Sequence, residues 1–96
     1  MNYYFIANIK INDENEYKKY LEKVDDIFER YNGKYLSVDN NPILLEGKWE
    51  YTRNVLIEFP TKQDFDNWYF SEEYQNILKH RLTAAECDTI LISGLE

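Results

Sequence analysis

One long amphipathic stripe constrains this chain more than any other feature. Tyr17, Tyr20, Leu21, Val24, Ile27, Phe28 and Tyr31 fall three and four residues apart, the spacing that lines one face of a helix. Asp13 followed by Glu16 has the pattern of a capping box ahead of it, and Asn32-Gly33 supplies a left-handed stop behind it. Before the stripe, the odd positions Tyr3, Phe5, Ala7, Ile9 and Ile11 are all apolar, whereas Tyr4, Ile6, Asn8 and Lys10 are mixed. That alternation describes a strand with one buried face and one ambiguous face. A helix with so broad an apolar side needs a sheet to cover it.

The rest of the chain supplies one. Lys34 to Val38 reads as a second strand and Asp39-Asn40-Asn41-Pro42 as a turn, with Ile43 to Glu46 continuing the edge in extended form before Gly47. Tyr51 to Phe59 is a third strand, with Val55, Ile57 and Phe59 on one face and Asn54, Leu56 and Glu58 on the other. Pro60-Thr61 ends it, and Thr61-x-x-Asp64 caps a second helix carrying Phe65, Trp68 and Tyr69. Ser71 is a fresh N-cap with Glu72 and Glu73 in the first turn, after which Tyr74, Ile77, Leu78 and Arg81 share one face. Cys87 to Gly94 closes the chain as a fourth strand.

No repeat or linker interrupts this order, so residues 1–96 read as a single domain. The order βαββαβ, with its second helix broken near Ser71, predicts an α+β, ferredoxin-like fold: one antiparallel sheet with the helices on one face. The uncovered face carries Ile6, Leu56 and Ile90 or Leu91 beside Asn8, Asn54 and Glu58. A face of that mixed character suits a second copy of itself, which predicts a homodimer through the sheet faces.

Composition sharpens the picture. Nine tyrosines, five phenylalanines and two tryptophans in 96 residues are more rings than a domain of this size easily hides in its own core, so some belong at a subunit seam or around a pocket. Eleven Lys and Arg against eighteen Asp and Glu leave a net charge of −7, which disfavours nucleic acid and anionic membrane surfaces as partners. No apolar run has the length of a membrane span and no signal peptide precedes the first strand, so a cytoplasmic location is expected. The single cysteine, Cys87, allows no internal disulfide.

Several segments in this order carry a resemblance. Gly33-Lys34-Tyr35-Leu36, Leu45-Glu46-Gly47-Lys48-Trp49, Arg53-Asn54-Val55-Leu56-Ile57-Glu58-Phe59-Pro60, Trp68-Tyr69-Phe70-Ser71-Glu72-Glu73-Tyr74-Gln75 and Arg81 together resemble the uncharacterised family DUF1330, within the dimeric α/β-barrel superfamily. Glu72 stands where such sequences commonly have Pro, and Asn32-Gly33 where they commonly have two glycines; both are changes of backbone geometry. The resemblance implies small proteins that pair their sheets into a shared barrel and hold small molecules in a cleft between sheet and helices. Some members of the superfamily are cofactor-free monooxygenases, isomerases or dehalogenating enzymes, and others only bind. Fold likeness does not choose among them.

The residues narrow the chemistry without naming a reaction. One His and one Cys give no paired metal ligands, and three glycines give no phosphate cradle, so neither a metal nor a cofactor is expected. His80 falls off the apolar face of its helix and reads as a solvent-side cap of the helix C-terminus. Cys87, between Glu86 and Asp88, reads as a structural thiol. Glu46, Arg53 and Glu58 lie in stretches expected to be half buried, where an unpaired charge is expensive. They are either ion pairs that fix the strands or a site in which Arg53 or Arg81 holds a carboxylate or enolate and Glu46 or Glu58 acts as base. Tyr35, Trp49, Trp68, Tyr69 and Tyr74, with Arg81, are the candidate binding residues, the rings lining a cavity under the broken helix or plugging the core. Two readings therefore stand: a dimer that binds or transforms a small aromatic or carboxylated molecule, and a structural or protein-interaction dimer with no catalysis.

Overall fold

The computed structural model describes residues 1–95. The elements follow as β1 (Tyr3–Ile11), α1 (Glu14–Phe28), β2 (Lys34–Asp39), β3 (Arg53–Phe59), α2 (Lys62–Tyr69), α3 (Glu72–Ala84) and β4 (Ala85–Ser93). The four strands form one antiparallel sheet in the order β2-β3-β1-β4. All three helices lie on one face, which gives a flat body of 33 × 31 × 15 Å.

The helix starts are made by the residues that the sequence marks. Asp13 accepts the amide hydrogen of Glu16, Thr61 that of Asp64 and Ser71 that of Tyr74, each satisfying a donor that a helix start leaves free. The odd positions of β1 and β3 turn inward: Phe5, Ala7, Ile9, Val55, Ile57 and Phe59 are buried against Tyr17, Val24 and Phe28 of α1, Trp68 of α2 and Tyr74 and Ile77 of α3. Among the described residues no helix is long and apolar enough to cross a membrane.

The structure corrects several expectations. The end of α1 is not left-handed: the helix stops at Phe28, its cap Glu29 has helical angles, and the only positive φ among the described residues is at Gly47. Gly33 is needed for a close approach instead, since a Cβ there would lie 2.5 Å from Phe28 Cζ and 2.6 Å from Phe59 Cε1. Ile43 to Glu46 adds no strand. It belongs to an irregular connection from Asn40 to Thr52 that leaves Ile43 87% and Leu45 88% exposed. His80 does not cap a helix end; α3 continues to Ala84, and His80 Nδ1 lies 2.6 Å from Glu16 Oε2 of α1.

The bare face of the sheet also resolves. Leu56, Ile6 and Ile90 stand side by side across β3, β1 and β4, and Ile90 is 56% exposed. Leu91 pairs with Phe5 and turns inward against the core. Asn54 Nδ2 donates to Asn8 Oδ1 at 2.7 Å within the same sheet, so these amides satisfy each other without a second chain.

Candidate functional site

A cavity of about 390 Å³ lies between α1 and the inner face of the sheet. The backbone of α1 packs closely on α3, whereas it makes no comparably close approach to any strand. The rings of Tyr17 and Tyr20 on α1 and the small side chain of Ala7 on β1 line this space. Ile9, Val24, Val55, Ile57 and Trp68 form the apolar walls.

Two arginines close one end. Arg53 opens β3 on the inward side, where Val55 and Ile57 follow at the same parity. Arg81 is carried by the buried stripe of α3. The Arg53 guanidinium lies 6.0 Å from the Tyr17 ring centroid and that of Arg81 5.6 Å from Tyr20, while the two rings are 5.7 Å apart. Arg53 Nη1 donates to Asn40 Oδ1 at 3.0 Å. Its Nε, and both Nε and Nη1 of Arg81, are buried without a hydrogen-bond partner in the protein. Arg81 is only 2% exposed, and among the described residues neither arginine forms an ion pair.

The surrounding phenols do not balance this charge. Burial pushes Tyr17, Tyr20 and Tyr74 above the usual tyrosine range, against the pull of the arginines, so all three are neutral at pH 7. Burial is the largest influence on Arg81 and disfavours its cation, yet the group still lies above the ordinary arginine range, so the guanidinium is charged at pH 7. The Tyr20 and Tyr74 hydroxyls, 2.7 Å apart, brace that wall. At the exposed mouth are Leu21, Asp25, Tyr35 and Val38. Burial, and then the neighbouring Asp25 carboxylate, raise Tyr35 above its ordinary range.

The sequence candidates thus separate. Arg53, Arg81, Tyr35 and Trp68 line the cavity. Tyr74 is fully buried behind it, joined to the lining residue Tyr20. Tyr69 does not line it and stacks on Phe65 at 5.2 Å. Trp49 packs on Tyr51 at 4.9 Å, in the connection leading to β3. Glu46 is exposed in that same connection. Glu58 is on the opposite face of the sheet, where Asn2 Nδ2 donates to it at 3.3 Å. At the break Phe70-Ser71 the rings of Trp68 and Tyr74 pack 4.3 Å apart. The cavity residues that the sequence reading passed over are Tyr17, Tyr20 and Asp25. The first two announce themselves only as core stripe, and Asp25 is a charged position flanking it.

Comparison with known proteins places this geometry. The family described as a domain of unknown function, DUF1330, matches residues 2–95, and the chain belongs to it. No curated protein matches the sequence. The fold is similar to a protein of unknown function from Rhodopseudomonas palustris, with a TM-score of 0.81 at 18% identity over 99% of this chain and 83% of that one. It is similar to a dimeric ferredoxin-like protein of unknown function from Thermobifida fusca, TM-score 0.70 at 12% identity, covering 97% and 91% of the two chains. It is also similar to SnoaB, a cofactor-independent oxygenase from Streptomyces nogalater, TM-score 0.70 at 9% identity, covering 99% and 94%. At these identities the likeness shows the fold, which is α+β and ferredoxin-like.

Proposed function

We propose that this DUF1330 protein is a homodimer, seamed through its bare sheet faces, whose cavity between α1 and the sheet binds a small molecule with an apolar, partly aromatic body and a negatively charged group. The observation that carries the reading is Arg81: a guanidinium buried to 2% exposure with two unpartnered nitrogens at the wall of a 390 Å³ cavity. Leaving such a charge unpaired is costly, and a ligand anion offsets that cost. In this reading Arg53 and Arg81 hold the anion, Trp68 and Tyr35 contact the body, and Tyr74 positions Arg81 through its hydroxyl.

The dimer rests on the row of half-buried Leu56 and Ile6 and exposed Ile90 and on the dimeric fold neighbour. The cofactor-independent oxygenase among the neighbours supports chemistry without a cofactor on this fold. Any turnover here draws on the two guanidiniums to stabilise negative charge; neither Glu46 nor Glu58 lines the cavity as a base.

Native mass spectrometry of gently purified protein tests assembly and occupancy together. The expected spectrum is a dimer that carries, or takes up on adding small aromatic acids, a mass lost on denaturation. A monomer at micromolar concentration overturns the dimer, and a dimer that takes up no such molecule overturns the cavity reading.

A further inference from the structure

The cavity has two chemically different ends, and that asymmetry narrows what fits it. At one end Arg53 and Arg81 stand over the adjacent rings of Tyr17 and Tyr20, and both guanidiniums act on the Tyr17 phenol. At the mouth is Asp25, with Tyr35 beside it. Tyr17 and Asp25 are eight residues apart on α1, about 12 Å along the axis at the helical rise. Between the ends the walls are apolar.

Charge settles the valence of the occupant. The only charged residues lining the cavity are Arg53, Arg81 and Asp25, which together leave one positive charge. One negative charge neutralises it. A dianion would overshoot, facing Asp25 inside a chain that already carries −7. Guanidinium forks match the two oxygens of a carboxylate. Asp25 presents carboxylate lone pairs at the mouth, and only a donor can use them. The volume, near the lower end of small-molecule pockets, admits a compact ring system. A para-substituted benzoate carries its two polar groups at opposite ends of one ring, as the cavity carries its arginines and Asp25.

We infer that the cavity takes a monoanionic aryl carboxylate oriented end to end, its carboxylate between Arg53 and Arg81 and its far end bearing a hydroxyl or amino donor that Asp25 receives. The inference rests on the cavity reading above and adds charge, orientation and the second recognition group.

Titration calorimetry on the full chain at fixed ionic strength, with 4-hydroxybenzoate, benzoate, 4-hydroxybenzamide and phenyl phosphate, tests it. The expected order is 4-hydroxybenzoate tightest, at least tenfold over the amide and several-fold over benzoate. Asp25→Ala should abolish the advantage over benzoate and leave that over the amide. Arg81→Met should abolish the advantage over the amide. If Arg81→Met fails to fold by circular dichroism, Arg53→Gln carries the same reading. Equal binding of acid and amide overturns the anion assignment while leaving the cavity reading intact. Tighter binding of phenyl phosphate overturns the carboxylate, and no gain from the 4-hydroxyl overturns the role of Asp25. Failure of all four to bind overturns the cavity reading itself, and this inference with it.

Discussion

Tyr20 on α1 and Tyr74 on α3 bring their hydroxyls to 2.7 Å, fully inside the protein. The pair ties the two helices together beside Arg81, whose guanidinium lies 5.6 Å from the Tyr20 ring. A buried phenol without a partner is expensive, so the Tyr20 hydroxyl depends on that of Tyr74. The same contact that fastens α1 to α3 therefore fixes the inner wall of the cavity.

Removing the Tyr74 hydroxyl should cost more than half of removing both. Tyr74→Phe leaves the Tyr20 phenol bare, at about 1–3 kcal/mol, whereas Tyr20→Phe leaves the Tyr74 hydroxyl its contact with Arg81. The double variant loses the pair and strands nothing, so its cost should fall below the sum of the singles. Urea denaturation of the four proteins measures the cycle; strict additivity would show that the hydroxyls do not depend on each other.

Arg81 separates function from stability. An arginine held by a structural ion pair costs about 3–5 kcal/mol when removed. Here no carboxylate pairs with it among the described residues. Arg81→Met should therefore leave the apo protein as stable as before, or more so, since it removes an unbalanced buried charge. A large fall in Tm on this substitution would return the residue to a structural role.

Much of this was legible in the sequence, by parity and period. Arg53 shares the parity of Val55 and Ile57 and turns inward; Glu58 has the opposite parity and turns out. Arg81, on the stripe of Ile77 and Leu78, follows its helix face into the core. The caps at Asp13, Thr61 and Ser71 mark where helices begin because their side chains do the capping. The cavity was not legible, because it depends on the distance between α1 and the sheet. That distance is set by packing and leaves no periodic trace. Asp25 shows the same limit: it sits four residues from Leu21 and three from Phe28, and charge alone hides that it borders the stripe. The course of residues 40–52 was misread because exposed Ile43, Leu44 and Leu45 look like strand when burial is unknown.

Gly33 is required for space. Its amide geometry is open to any residue, having no positive φ, yet an added methyl group meets Phe28 and Phe59 at 2.5–2.6 Å. Both rings are buried and hemmed by Trp68. Gly33→Ala should destabilise the fold by about 1–3 kcal/mol, the range for overpacking. A neutral result in thermal melting would mean that the edge at β2 moves freely to make room.

Glu16 links the helices electrostatically, with His80 Nδ1 donating to it at 2.6 Å and Lys19 at 3.1 Å. The His80 hydrogen bond first, and then Lys19, hold its carboxyl below the ordinary value of 4.5. A folded-state pKa below the unfolded one stabilises above the unfolded value and is lost as pH falls through the folded one. The stability gap between the wild type and Glu16→Gln should therefore be full at neutral pH and close below about pH 4.5. Melting curves from pH 7 to pH 3 check it; a gap that persists at the acid end would assign the loss to packing.

The bare sheet face makes the last prediction. Ile90 is 56% exposed and aligned with Ile6 and Leu56 across three strands, so within one chain it supports little. In the proposed seam of two such faces Ile90, on the edge strand β4, is covered, and covering an apolar side chain favours association. Ile90→Asp would place an unpaired carboxylate there, a burial that costs far more than the methyl groups it replaces. For the proposed dimer, sedimentation velocity should show the wild type as dimer and Ile90→Asp as monomer at the same concentration. The circular dichroism spectrum should not change, because the inner core does not use this side chain. A variant that remains dimeric would move the seam off this face, to a surface that does not include Ile90.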